Sequence, residues 1–525
     1  MNLPKKFLPP CTFLLILFFF TVFPAKHCLH ASSQKKLKTL YNRIDPSSVT
    51  QQFAFYQLSP ESNEGKKALK QAWNLLTKKH NIEKKYLHES FFKDPQTIIS
   101  FIDLTLSQKK SSEEHFQESD IKTIENISQH LGNRQLKGYH TSSEDEILSM
   151  LPEDIDLSNN LLISLLGNSE SARKKIRYYN AKIDIIALQI LARLGKEATP
   201  EEKIYAINQY IFHEMRFKFP PESLYNNSID FYTFLPSVLQ SRQGVCLGIS
   251  TLYLCIAQRL NLNLEVITPP GHIYLRYNNN DNMINIETTA RGIHLPTENY
   301  LGVNTRELQK RNLKEVIGMN FFNQASVFWQ KNQYLSAIQS YEKALSYLPN
   351  DPLVLEFLSY NYLAVGKEEK AEKYFKMLSN HSSPYLISKE TIYDDYLLGR
   401  IDNEGIQIIF THVDETRESI LQKKKNLLKT LKEFPLFRAG FFHLAVTWMQ
   451  LSRHKEAIEA LENYHRIDST NPSVEYYLAG LYKERFNYKA AWKHYKNAET
   501  LLNQKKHNPR ALKKLHYQLK ILSPK

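Results

Sequence analysis

A helix followed by three short strands is encoded in residues 243–287, which read QGVCLGISTLYLCIAQRLNLNLEVITPPGHIYLRYNNNDNMINIE. The apolar spacing predicts one helix over 246–260, directly after a break that includes Gly244. Strands are predicted at 264–268, 272–277 and 282–287. Pro269, Pro270 and Gly271 turn the first of these strands into the second. This order predicts a small α+β unit.

Cys246 begins the predicted helix, two residues after Gly244. The unpaired amides and the dipole at a helix N-terminus favour a thiolate there. Cys255 follows nine residues later, which at helical rise puts about 13 Å between the two Cα atoms, too far for a disulfide. We expect Cys255 to be a core residue and Cys246 to be a free, nucleophilic thiol.

The last two strands predict a hairpin that places a histidine beside a carboxylate. A loop at 278–281 pairs Tyr277 with Asn282, and counting back in that register sets His272 opposite Glu287. Cross-strand neighbours on one face lie about 5 Å apart at Cβ, so the carboxylate can orient the imidazole. A thiol facing such a histidine is the arrangement of a cysteine nucleophile. The apolar residues on the other face of the hairpin are Ile273, Leu275, Ile284 and Ile286.

Three segments resemble the transglutaminase-like superfamily, in its bacterial SirB-type branch. They read VLQSRQGVCL at 238–247, PGHIYLR at 270–276 and IETT at 286–289, within a resemblance that covers roughly 195–305. It implies a papain-like core with Cys246 as nucleophile and His272 as base. Glu287 stands where the family more often has Asp. No metal or organic cofactor is implied, and no EF-hand calcium loop is present in the sequence.

A period of 34 residues begins near residue 318 and resembles the tetratricopeptide repeat. Small residues recur where two paired helices must approach closely. They are Ala325, Ala337 and Ala344, then Ser359 and Ala371, then Ala445 and Ala457, and finally Ala479, Ala491 and Ala498. The resemblance implies a superhelix whose concave face binds a protein or peptide.

The N-terminus reads as an export signal. Lys5 and Lys6 precede an apolar run of 13 residues at 11–23, which is shorter than the roughly 20 residues of a membrane span. We expect cleavage before Ser32 and a periplasmic or secreted bacterial protein, with an uncleaved membrane anchor as the alternative. No second apolar run of spanning length follows in the sequence.

The composition is that of a globular, mainly helical chain. It has 525 residues, 42% apolar and 23% charged, and only 16 glycines. The net charge is +14, but the basic clusters are scattered and no stripe of aromatics accompanies them, so we expect no nucleic-acid partner. His213 and Glu214 begin a zinc-peptidase pattern, but Phe217 stands at the second histidine position and excludes that site.

The predicted fold is mainly α, with an α+β papain-like or transglutaminase-like core domain and a C-terminal α-solenoid of tetratricopeptide repeats. The predicted segments are a signal peptide at 1–31, a helical N-terminal region at 35–194, the transglutaminase-like domain at 195–312, repeats 1 and 2 at 318–384, a helical insert at 385–435, repeats 3 and 4 at 436–505, and a basic tail at 506–525.

Two functions fit this architecture. The first is an exported enzyme in which Cys246, His272 and Glu287 act on amide bonds, as a cysteine protease or amidase, including hydrolysis in the cell envelope, or in acyl transfer. The second is a non-catalytic scaffold whose repeats mediate protein–protein interaction. Reactivity of the Cys246 thiol separates the two.

Overall fold

The computed structural model describes residues 34–77, 118–220, 232–279, 282–414 and 416–523. Over these residues the chain is mainly helical, with one small antiparallel sheet, as predicted. The predicted leader at 1–31 lies outside the described residues. None of the described helices combines the length and the apolar character needed to cross a bilayer.

The N-terminal region is built around one long buried helix, α7, of 24 residues. Ile183, Ala187 and Ile190 carry its buried side, as their helical spacing predicts. The next helix, α8, begins with the predicted capping box, in which Thr199 and Glu202 bond each other's backbone amides. The α-helices among the described residues of this region are α1 (Gln34–Tyr41), α2 (Val49–Leu58), α3 (Asn63–Thr77), α4 (Glu118–Ile127), α5 (Glu144–Ser149), α6 (Leu157–Leu166), α7 (Glu170–Arg193) and α8 (Pro200–Asn208).

Helix α10 packs against a four-stranded sheet in the core domain. The strand order is β3-β2-β1-β4, and every paired neighbour is antiparallel. β4 was not predicted from the sequence, because its three residues, Gln309–Arg311, are all polar and show no strand pattern. The elements are α9 (Leu235–Ser241), α10 (Cys246–Arg259), β1 (Glu265–Thr268), β2 (Tyr274–Asn278), β3 (Met283–Ile286) and β4 (Gln309–Arg311).

The predicted hairpin register is wrong by two residues. Tyr277 pairs with Ile284, and the last pair is Asn278 with Met283, so the turn still spans four positions but begins one residue later than predicted. A slip of two residues keeps every side chain on its face, because side chains alternate with a period of two. Leu275 and Ile286 therefore remain in the core, as expected.

The C-terminal part consists of paired helices. The small residues of the 34-residue pattern are all buried, from Ala325 in the first pair to Ala498 in the last. The repeat pairs are α11 (Leu313–Gln330) with α12 (Tyr334–Tyr347), α13 (Pro352–Ala364) with α14 (Glu368–Ser379), α18 (Arg438–Gln450) with α19 (His454–Ile467), and α20 (Pro472–Glu484) with α21 (Tyr488–Gln504); the insert holds α15 (Ile392–Leu397), α16 (Asn403–Ile409) and α17 (Arg417–Glu433).

The stretch predicted as a basic tail is largely a helix, α22 (Arg510–Leu522). Leu512, Leu515 and Leu519 bury one side of it against the last repeat. The many lysines of this segment make its composition resemble that of a basic tail. The three leucines, however, are spaced by three and four residues, as on the apolar side of an amphipathic helix.

Two sets of contacts tie the parts of the chain together. At the end of α10, the buried Arg259 guanidinium donates to the Asp184 carboxylate in α7 at 2.6 Å. On the other side of the core, His507 donates to the Gly302 carbonyl at 3.0 Å, and the Ile387 amide donates to the Asn304 carbonyl at 3.0 Å. The segment between β3 and β4 is thus held by both the insert and the end of the repeats.

Candidate active site

Cys246 is the first residue of α10, as predicted. Its thiol is free and half-buried. Two residues later, Gly248 lets the helix approach the preceding segment, because a Cβ at Gly248 would lie 2.3 Å from the Tyr232 carbonyl oxygen. The start of the helix, with its unpaired amides, therefore packs closely against the segment that precedes α9.

His272 lies in the turn before β2 and not in the strand, contrary to the prediction. Its amide donates to the Pro269 carbonyl at 3.0 Å, and Gly271 between them has φ +70°, a conformation that glycine adopts without strain. Despite this shift, His272 Nε2 lies 2.8 Å from Glu287 Oε2. The His272 side chain is 26% exposed and that of Glu287 is 5% exposed.

Glu287 follows β3 directly and caps the short 3-10 turn Thr288–Ala290. One carboxylate oxygen accepts bonds from the Thr289 amide at 3.2 Å and the Thr289 hydroxyl at 2.6 Å. The other accepts from the Tyr300 hydroxyl at 2.6 Å and faces His272. A carboxylate held by this many donors is fixed in place and can orient the imidazole.

His272 and Glu287 each shift the pKa of the other toward its charged form. Burial lowers the pKa of His272, but hydrogen bonds to the Cys246 thiol and to Glu287 outweigh it and raise the pKa to about 10. Burial raises the pKa of Glu287, but hydrogen bonds from His272, Thr289 and Tyr300 bring it below its usual range. At neutral pH the site thus favours an imidazolium between a thiol group and a carboxylate.

The structure brings all three predicted residues together. Cys246 and Glu287 each contact the imidazole of His272. The helix and the segment after β3 are also joined directly, since the Ser250 and Thr288 hydroxyls lie 2.9 Å apart. Ser250 is one helical turn after Cys246, so this bond orients the face of α10 that carries the thiol.

Tyr300 and Thr289 belong to the site and were missed by the sequence analysis. The Tyr300 ring stacks on the His272 ring at 5.9 Å between centroids and on the Tyr274 ring at 4.4 Å, with 16° between the planes in each case. Tyr300 follows a short 3-10 turn, outside any regular element. Without periodicity around it, no signal in the sequence marked it. Thr289 was recoverable, because a threonine two residues after a carboxylate often bonds it.

Cys255 faces the interior, as predicted. It is fully buried, and burial raises the pKa of its thiol far above the usual range. The two thiols of the described chain therefore occupy contrasting environments, one at an accessible helix start and one in the core.

Residues 177–317 match the family model of the transglutaminase-like superfamily, which confirms the resemblance of the core domain. The mouse protein F-box only protein 21 is 24% identical over 189 residues, which are 34% of this chain and 24% of that protein. Its human counterpart matches to the same extent. The chain thus spans about a quarter of the length of the curated relatives it matches.

Solved structures of repeat proteins resemble part of the chain. A tetratricopeptide-repeat protein of Thermus thermophilus is 18% identical, covering 38% of this chain and 98% of its own, with a TM-score of 0.21. MamA is 16% identical, covering 34% of this chain and 95% of its own, with a TM-score of 0.20.

Proposed function

We propose that the protein is a cysteine-nucleophile enzyme acting on amide bonds, whose repeats recruit a protein or peptide partner. The observation that carries the proposal is a single contact chain. The Cys246 thiol group lies close enough to His272 to raise the pKa of its imidazole, and His272 Nε2 lies 2.8 Å from the Glu287 carboxylate. A nucleophile, a base and a group that orients the base are the elements that acyl transfer requires.

The order of proton transfers follows from this chain of contacts. Glu287 occupies Nε2 of His272, so Nδ1 is the nitrogen that holds the proton between the imidazole and the Cys246 sulfur, and the reacting form is a thiolate beside an imidazolium. The thiolate then attacks the amide carbonyl carbon, and His272 returns the proton to the leaving amine. The resulting thioester is released by water in hydrolysis or by a second amine in transfer. The amide of Cys246, at the helix start, is placed to stabilise the oxyanion.

The proposal is tested by labelling the full chain with iodoacetamide near neutral pH and following each cysteine by peptide mass spectrometry. We expect Cys246 to react at least about tenfold faster than Cys255, because only its thiol is accessible and beside an imidazolium. His272→Ala slows the labelling of Cys246. Glu287→Gln slows it less, since the carboxylate acts through the imidazole.

His213→Ala is the matched control, because His213 is an exposed histidine of the same domain. It leaves both labelling rates unchanged. Circular dichroism of each variant excludes trivial exposure of the thiols by unfolding. Equal rates for the two cysteines, unaffected by His272→Ala, would refute the proposed nucleophile.

A non-catalytic scaffold is the second candidate function. It is favoured by a cavity of about 530 Å³ between the first repeats and the insert. Trp329, Phe357 and Phe410 stand around it with ring centroids 4.9–5.6 Å apart. Aromatic side chains of this kind anchor peptides at interfaces. An unreactive Cys246 in a folded chain would make this the better assignment.

We also propose that the protein is exported, to the periplasm or beyond the cell. The support is the charged start and the 13-residue apolar run of the leader. N-terminal sequencing of protein from a bacterial envelope fraction should find a start near Ser32. Protein recovered from the cytoplasmic fraction with Met1 intact would contradict export.

A further inference from the structure

Two histidines and a glutamate converge between the third and fourth repeats, and none of them belongs to the site already described. One ligand atom each from His465, Glu475 and His494 lies within 4.8 Å of the others. We propose that these three side chains bind a divalent transition-metal ion, and that Zn²⁺ fits best. Two imidazole nitrogens with one carboxylate oxygen form a donor set that Zn²⁺ favours.

The three donors come from three helices and point at one another. His465 lies near the end of α19, Glu475 in the first turn of α20 and His494 in α21. His465 Nδ1 is 2.5 Å from one Glu475 oxygen, and His494 Nδ1 is 2.9 Å from the other. Around a tetrahedral Zn²⁺ ion with bonds of about 2.1 Å, such atoms stand about 3.4 Å apart. Small side-chain rotations open that space.

The Glu475 carboxylate is buried and accepts hydrogen bonds from His465, His494 and Asn497, and a cation would take the place of the two imidazole N–H groups beside it. The Glu475 side chain is 1% exposed and that of His494 is 3% exposed. A buried carboxylate is stabilised only by positive charge or by several hydrogen bonds. An ion bound between Glu475 and the two imidazoles supplies that charge. The His465 side chain, 21% exposed, leaves a route from solvent.

A second layer of polar groups holds the donors in orientation. His494 Nε2 faces a Glu462 oxygen at 3.2 Å, which leaves Nδ1 of that ring for the ion. Tyr482 donates to the same Glu462 oxygen at 3.0 Å and stacks on the His494 ring with 12° between the planes. Asn497 donates to Glu475 at 2.9 Å. A carboxylate behind a ligating histidine is a recurrent feature of metal sites.

The ion would join two repeats. His465 belongs to the third repeat, whereas Glu475 and His494 belong to the fourth. Stability in a repeat array depends on contacts between neighbours. An ion that binds the folded interface but not the unfolded chain raises the stability of that interface with its concentration.

The test is a titration of the chelator-treated full chain with Zn²⁺ alone, against a chromophoric chelator, and with Co²⁺ by visible absorption. The background variant is Cys246→Ser, which removes the thiol of the other site that offers histidine and carboxylate donors. We expect one ion per chain with a Kd below about 1 µM and a thermal midpoint that rises with Zn²⁺.

Variants assign the ligands. His465→Gln, at the most exposed of the three positions, should weaken Zn²⁺ binding by about 100-fold, and Glu462→Gln by about tenfold. His516→Ala is the matched control, because this histidine lies in α22 and bonds Tyr495, not the cluster. It should leave Zn²⁺ affinity and the Co²⁺ spectrum unchanged.

Three results would overturn the proposal. They are the lack of a bound ion at stoichiometric Zn²⁺, an equal affinity in His465→Gln, or a thermal midpoint that does not respond to Zn²⁺ in the folded background variant. Each would mean that the three side chains form a hydrogen-bonded cluster and not a metal site. Circular dichroism confirms that His465→Gln is folded, so loss of binding reports the ligand.

Discussion

At the scale of single residues, the proton of His272 is the feature on which the proposed chemistry depends. Its imidazole has a thiol on one side, a carboxylate on the other and the Tyr300 ring along its face. The same contacts that would orient it for catalysis also bind its proton more tightly than water does. Folding and protonation of the site are therefore linked.

The raised pKa of His272 predicts a stability that falls at alkaline pH. The group has a pKa of 6.5 when unfolded and about 10 when folded, so its contribution is complete below pH 6.5 and is lost as pH rises through 10. The slope is at most about 1.4 kcal/mol per pH unit. Urea unfolding from pH 6 to pH 10 measures it.

His272→Gln should remove the part of the pH dependence of the unfolding free energy that comes from the imidazole. His213→Gln should retain it. An identical pH dependence in the wild type and in His272→Gln would show that the imidazole carries no extra proton in the folded protein. Because Glu287 has a lowered pKa, its own contribution is present above pH 4.5 and is lost as pH falls through the folded pKa.

At the scale of elements, the repeats depend on small side chains where two helices meet. Ala337 in α12 and Ala491 in α21 are both fully buried. In a repeat array, each helix pair contacts mainly its neighbours. A packing defect in one pair therefore destabilises that pair and the adjacent ones more than the rest of the molecule. The periodic alanines are thus structural residues, and they set how closely the helices approach.

Replacing Ala337 with Leu should destabilise the repeats by about 1–3 kcal/mol, because the added volume has no room between the helices. Ala491→Leu should behave alike. The controls are Gln339→Leu and Lys489→Leu, exposed positions on the same two helices. Thermal unfolding measures the effect, and equal midpoints for buried and exposed replacements would show that these alanines are not close-packing positions.

At the scale of the whole molecule, the core domain is held from two sides. On one side, the buried Asp184 of α7 binds both the buried Arg259 of α10 and the partly buried Arg134. Burial raises the pKa of Asp184, but the two guanidinium groups outweigh it and bring the pKa below its usual range. On the other side, the loop after Tyr300 is bonded to the insert and to His507.

Asp184→Asn should lower the free energy of unfolding by about 3–5 kcal/mol, because it leaves the buried Arg259 and the partly buried Arg134 without their counterion. Glu118→Gln is the comparison, since Glu118 pairs with Arg177 at the surface, where such pairs contribute at most about 1 kcal/mol. Urea unfolding followed by circular dichroism measures both. Similar losses for the two variants would contradict a structural role for the buried network.

Much of this molecule follows from local pattern. The start of α10 at Cys246, the capping box of α8 and the buried alanines of the repeats depend on residues that are close in sequence. Spacing alone reveals such features, because helix and strand periods decide which side chains share a face. The pairing of His272 with Glu287 was also predicted, although through a register that is two residues wrong.

Other features required the folded chain. The donors to Glu287 include Tyr300, which reaches the carboxylate from an irregular segment, and the cluster of His465, Glu475 and His494 assembles from three helices. The same holds for the ion pair of Asp184 with Arg259, which are 75 residues apart. Contacts of this kind depend on how packed elements are placed relative to one another, and hydrophobic periodicity carries no information about that placement.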